Sequence, residues 1–428
     1  MKAKKNNYHI STLSNGLRVL SYPMPSRKSV TLGIWSACGG RYEKMEKAGI
    51  SHFIEHMVFK GTKKYSSMEL KKAIEGVGGY LNAFTSEEFT CYYSKVAASY
   101  LNQAIDVLSD MVIAPTFRES DFKREKSVIL EEIKLYFDLP SHHAVEILYK
   151  LLWPNQSLGM FLAGTHKTVG DITCADLRKF KELYYTSPNI CVIACGDVSH
   201  KLVLEQVEKS FKNFKSGSKN SFPPAVRTQD NAKLKVIEKK LEQTHLAIGF
   251  HASGRHSENR FAEGLLNIML GGNMSSRLFQ EVRENKGLAY EIGSHIRRYD
   301  DTGALIINAG IHNDKKEQAL KVIFTELKKI ADKKAAEEEL KRAKEFFRGQ
   351  FMLALEDTAE RMIWLGESLI TLDKIESEQD IMKKLDAITT ADIKEAGKRL
   401  FSADGINLSI VGPVKKEEEK KIEKSLKI

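Results

Sequence analysis

His52, Glu55 and His56 stand in the pattern His-x-x-Glu-His. On an α-helix, residues i and i+4 lie one turn apart on the same face, so the two imidazoles can reach one metal ion. Glu55 lies about 60° around the helix from His52, by the 3.6-residue turn. Its carboxylate therefore falls beside the metal and not on it. A base next to a metal-polarised water is the arrangement that metal-assisted hydrolysis requires. The context suits a helix. Lys44–Ser51 are helix-compatible, Phe53, Met57 and Phe59 give an apolar side, and Gly61 ends the run. Two buried histidines and a buried glutamate without a partner would be costly.

Two histidines do not complete a catalytic metal site, which takes three protein ligands and leaves one position open. The segment Arg118–Phe137 offers the missing carboxylate. It is helical in pattern, with Val128, Ile129 and Ile133 as its apolar residues. Glu125 and Glu132 are seven residues apart, two turns, and share a face, whereas Glu131 lies on another face and is expected in solvent. A Glu/Lys-rich run of this kind is otherwise a solvated surface.

His52-x-x-Glu55-His56, followed 76 residues later by Glu132, resembles the signature of the pitrilysin-type (M16) metallopeptidases. The segment Glu125–Ile133, ending at Asp138-Leu139-Pro140, resembles that family's third-ligand helix. By this resemblance His52, His56 and Glu132 hold one Zn2+ per chain, Glu55 is the general base and Glu125 supports the site from behind its ligands. The segment Tyr80–Tyr92 resembles the family's hairpin beside the metal. Its edge is implied to pair with the substrate backbone, Asn82 and Ala83 lying closest. Such strand addition gives affinity with little demand on substrate sequence. Arg283 and Tyr290, within Leu278–Tyr290, resemble the family's Arg/Tyr pair. The arginine would anchor a peptide carbonyl and the tyrosine hydroxyl would stabilise the tetrahedral oxyanion.

The resemblance covers nearly the whole chain, and the length points to the processing-peptidase-like branch. It implies a zinc endopeptidase that hydrolyses peptides or unfolded segments by a zinc-activated water. The implied fold is α+β: two homologous halves, each a mostly antiparallel sheet flanked by helices, forming a clam-shaped chamber. The implied partners are extended peptide substrates and a second subunit, either the chain itself or a related one. The alternative is a non-catalytic scaffold or assembly subunit of the same fold. Relatives of that kind lose the His-x-x-Glu-His residues, which are all present here.

The elements that must position these residues can be read along the chain. Tyr8–Leu13, Leu17–Tyr22 and Ser29–Ser36 read as strands, and Ser66-x-x-Glu69 as a capping box opening a helix to about Val77. Helices follow near 98–113, 118–138, 142–152, 174–184 and 200–212, with an apolar strand at Ile190–Ala194. Residues 213–232 turn rich in Gly, Ser, Pro and polar side chains, the composition of a linker long enough to hinge. The expected domains are therefore 1–212, carrying the metal, and 233–428. Further helices are expected near 314–331, 335–357, 358–371 and 390–401.

The second half repeats the first. Gly33–Glu43 aligns with Ala247–Ser257 at an offset of 214, and the strands before Gly196 and Gly412 align at 216. At the first offset His52, Glu55 and His56 fall on Leu266, Met269 and Leu270. The second copy should lack a metal.

The chain has 428 residues, 42% of them hydrophobic, enough for two domains with filled cores. The net charge of +10 is spread among 56 acidic residues, and no nucleic-acid motif accompanies it. No stretch approaches the apolar length of a membrane span. Five cysteines without a Cys-x-x-Cys pair suggest reduced thiols. The first residues, MKAKKNNYHIS, lack the apolar core of a secretory signal, so the expected location is cytoplasmic.

Overall fold

A computed structural model describes residues 7–426. The first sheet contains β1 (His9–Thr12), β2 (Arg18–Pro23), β3 (Ser29–Ser36), β4 (Tyr80–Thr85), β5 (Thr90–Ala97) and β6 (Ile190–Gly196). Their order is β1-β2-β6-β3-β5-β4. All neighbours are antiparallel except β2 and β6. The second sheet contains β7 (Lys233–Glu238), β8 (Gln243–Ala252), β9 (Ala289–Arg298), β10 (Gly303–His312) and β11 (Asn407–Gly412), in the order β7-β11-β8-β10-β9. Here too a single pair, β7 with β11, is parallel. Without β1 the two orders match strand for strand, which is the structural form of the repeat. Leu266, Met269 and Leu270, at the positions equivalent to His52, Glu55 and His56, are buried in the second core.

β3 and β6 are buried along nearly their whole length because both faces are covered. Over β3 one cover is the helix Leu101–Ile113. The other comes from far along the chain. The helix Thr358–Leu372 lays Met362, Leu365 and Leu369 on Leu20, Trp35, Cys191 and Ile193. Trp35 Nε1 donates to Met362 Sδ at 3.3 Å. A Cβ on Gly366 would stand 2.2 Å from the Trp35 ring, so only glycine permits this approach.

The compact units consequently differ from the contiguous halves expected. One unit holds the chain up to Ile133, Phe161–Pro223 and Met352–Ser377. The other holds Lys134–Met160, Pro224–Phe351 and the chain from Glu378 onward. Each takes a helix from the opposite half of the sequence: Thr358–Leu372 in the first, Pro140–Leu152 in the second. Helix amphipathicity shows that a face is buried but not against which sheet, so a boundary drawn from composition alone misses the exchange.

Parts of the linker are bonded within each unit. Asn220 N–H donates to Asn189 Oδ1, and its side-chain amide donates to the carbonyls of Ala37 and Tyr184. Arg41 stacks over Phe222 at 3.8 Å and donates to the Pro223 carbonyl. From Ala225 the chain bonds instead to Asp301, and Val226 bonds to Gln156, in the second unit. All five cysteines are buried and unpaired. Among the described residues, no helix is long and apolar enough to cross a membrane.

Candidate metal centre

The helix carrying His52, Glu55 and His56 is α1 (Ile50–Val58). It starts later than expected: Met45–Lys47 forms a separate tight turn, and Gly49 between them has φ of 96°, a conformation that favours glycine. Gly49 and Ser51 N–H both donate to the Glu43 carboxylate at 2.7 Å, an anion placed where the helix dipole favours one. Burial nevertheless pushes the Glu43 carboxyl up to about 7, against those hydrogen bonds.

The opposite side of α1 is core. Phe53, Ile54, Met57 and Val58 are fully buried. Phe53 stacks on Phe122, with ring centroids 4.9 Å apart. Phe122 lies on α2 (Glu119–Asp138), so this stack lays the carboxylate face of α2 against the imidazole face of α1. His52 Nε2 is 3.8 Å from one oxygen of Glu132, and His56 Nε2 is 3.5 Å from the other. Glu125, two turns earlier, points its Oε2 at His56 Nδ1, 3.3 Å away. The Lys60 ammonium takes the other Glu125 oxygen at 2.6 Å. Glu131 is exposed, and so is Val128, which the sequence offered as an apolar residue of this helix.

The donor set fits a zinc ion. One ligand atom from each of His52, His56 and Glu132 lies within 4.8 Å of the others. Two atoms bound tetrahedrally to one ion at about 2.0–2.1 Å are about 3.3 Å apart. The gaps of 3.5 and 3.8 Å are close to that spacing and longer than good hydrogen bonds. Burial, aided by neighbouring His56, lowers the His52 pKa to about 4, so His52 is held in its neutral, ligating form. Glu132 is held below its ordinary range, first by the His56 imidazole facing it, and is ready as an anion. His56 is shifted upward: burial opposes this, but Glu132 and Glu125 outweigh it.

Glu55 sits beside this trio. Burial raises its pKa, while a hydrogen bond from the Thr85 hydroxyl opposes the rise. Thr85 ends β4, the edge strand of the first sheet. Asn82 and Ala83 lie on the same strand, paired on one side with Tyr93 and Tyr92 of β5. The Ala83 N–H is satisfied locally, donating to Asn82 Oδ1 at 2.8 Å.

Arg283 and Tyr290 belong to the second compact unit. Arg283 lies on a π-type turn, Phe279–Glu284, and Tyr290 is exposed near the start of β9. The guanidinium lies 5.6 Å from the Tyr290 ring centre, so the two form a pair of their own. Sequence reasoning missed Lys60 and Thr85. Both had a signal: Lys60 follows His56 at the i+4 spacing, and Thr85 shares the strand face of Ala83.

Comparison with known proteins follows the same outline. Residues 18–166 match the model described as Insulinase (Peptidase family M16), and residues 171–347 the model described as Peptidase M16 inactive domain. YmxG of Bacillus subtilis, described as an uncharacterized zinc protease, is 36% identical over 94% of this chain and 97% of its own. The chain belongs to the M16 peptidase family. A second M16 relative, an uncharacterized zinc protease of Streptomyces coelicolor, is 34% identical over 96% of this chain and 91% of its own. The solved structure of a protease from Helicobacter pylori superposes with a TM-score of 0.90 at 25% identity, covering 95% of this chain and 99% of that one. The match to an inactive domain falls on the half where Leu266 and Leu270 replace histidines.

Proposed function

We propose that this M16 chain is a zinc-dependent endopeptidase acting on extended peptides or unfolded segments. The observation that carries the reading is the convergence of His52 and His56 Nε2 on the Glu132 carboxylate, with Glu55 alongside. His52, His56 and Glu132 would hold one zinc. When bound, zinc supplies Lewis acidity: it polarises a carbonyl and lowers the pKa of water.

The remaining work falls to the chain's own residues. Glu55 takes a proton from the attacking water and passes it to the leaving nitrogen. The Thr85 hydroxyl engages one Glu55 oxygen, Oε2, which orients the carboxylate and leaves Oε1 for the proton. The substrate adds as a strand along β4. For the substrate to use the Ala83 N–H, the Asn82 side chain must first release it. Arg283 would anchor a substrate carbonyl and the Tyr290 hydroxyl would stabilise the oxyanion. The buried, unpaired cysteines support a reducing, cytoplasmic setting. We place the chain in the processing-peptidase-like branch, acting as a dimer with itself or with a related subunit.

Metal analysis with peptide cleavage tests this. The purified chain should carry one zinc and cut an unfolded peptide. Chelation should stop cleavage and added zinc should restore it. A folded chain with neither zinc nor cleavage would favour the scaffold reading.

A further inference from the structure

We propose that Lys60 is a positioning residue of the metal site, acting through Glu125 on the ligand His56; this rests on reading His52, His56 and Glu132 as zinc ligands. The atoms form a continuous chain. Lys60 Nζ is 2.6 Å from Glu125 Oε1, Glu125 Oε2 is 3.3 Å from His56 Nδ1, and His56 Nε2 is 3.5 Å from Glu132. Each oxygen of Glu125 thus has its own partner.

This arrangement fixes which ring nitrogen of His56 faces the metal. A histidine that presents Nε2 must carry its proton on Nδ1, and Glu125 is the acceptor in reach. The Glu125 side chain is 6% exposed. A buried carboxylate is held in one orientation best when each oxygen has a partner, and a cation is the strongest partner it can have. Lys60 supplies that cation. Without it, Glu125 loses the partner that holds its Oε1, its carboxylate is no longer fixed in place, and its hold on His56 Nδ1 weakens.

The backbone places Lys60 for this task. Its N–H bonds to the Met57 carbonyl, continuing the last turn of α1. Gly61 follows at φ of 115°, turning the chain away directly after it. The ammonium thereby reaches back past the C-terminal end of α1, where a cation is also favoured by the helix dipole.

The test is zinc affinity, measured by competition with a chromophoric chelator in wild type, Lys60→Met, Lys60→Arg, Glu125→Gln and the Lys60→Met/Glu125→Gln double variant. Circular dichroism and unfolding midpoints establish that each is folded. Lys60→Gln takes the place of Lys60→Met if the latter does not fold. Loss of an outer partner of a ligating histidine weakens metal binding about 10- to 100-fold, and Lys60→Met should fall in that range. Lys60→Arg, which keeps the cation, should stay close to wild type. The double variant should bind no more weakly than Glu125→Gln alone, because Lys60 acts through Glu125. Wild-type affinity in Lys60→Met, or losses that multiply in the double variant, would overturn the proposal. A folded wild type that binds no zinc would instead overturn the zinc reading beneath it.

Discussion

The Thr85 hydroxyl, at the end of edge strand β4, donates to the Glu55 carboxylate on α1. The strand proposed to receive substrate is therefore in direct contact with the proposed base. Replacing Thr85 by Val keeps the shape and removes the donor. We expect kcat to fall about 10-fold, equivalent to about 1.4 kcal/mol, with zinc content unchanged. Thr85→Ser should restore most of the loss. Steady-state kinetics with parallel metal analysis would check this, and an unchanged kcat in Thr85→Val would remove Thr85 from the account.

Glu131 and Glu132 are adjacent in sequence, but one is exposed and the other faces two imidazoles. Glu132→Gln should leave the purified protein almost free of zinc, and Glu131→Gln should retain it. Equal zinc in the two variants would show that α2 does not supply the third ligand.

Glu43 gives a pH prediction. Its ordinary value is 4.5, and burial in the folded chain raises it to about 7. The folded state therefore binds this proton more tightly than the unfolded state. The stability it contributes is fully present below about pH 4.5 and is lost as pH rises through about 7. Glu43→Gln cannot titrate. Between pH 5 and 8, the wild type should lose stability relative to the variant by about 1–3 kcal/mol. Urea midpoints at both pH values measure it, and a constant difference would count against a raised pKa.

Much of the site was legible because its spacing is dictated by helix geometry. His52 and His56 share a face by the i+4 rule, and Glu125 and Glu132 share one by two full turns. The capping box at Ser66 and Glu69 forms as the sequence suggests, and β3 has the expected ends. What the sequence could not supply was partnership across distance. Nothing in Thr358–Leu372 says that Met362 will meet Trp35, nor that Phe53 will stack on Phe122. The linker misled for a related reason: Asn220 and Phe222 look like loop residues until their partners Asn189 and Arg41 are seen. The helix Glu378–Ala387 went unread: in ten residues it buries only Leu385, too little for a periodic apolar face to stand out.

The exchanged helix can be tested at Gly366. A methyl there would stand 2.2 Å from the Trp35 ring, which is held in the core and cannot swing aside. Gly366→Ala should lower the stability of the first unit by about 1–3 kcal/mol, despite alanine's better helix propensity. A raised unfolding midpoint would mean that the helix does not lie on β3.

The most direct test of the central claim is the Glu55→Gln variant, assayed for zinc and for hydrolysis of an unfolded peptide. The substitution removes the base and leaves His52, His56 and Glu132 in place. The account predicts one zinc per chain, as in the wild type, and hydrolysis reduced by a factor of at least about 100, the lower end of general-base contributions. Zinc retained with hydrolysis undiminished would contradict it, because the carboxylate beside the metal would then have no part in the reaction.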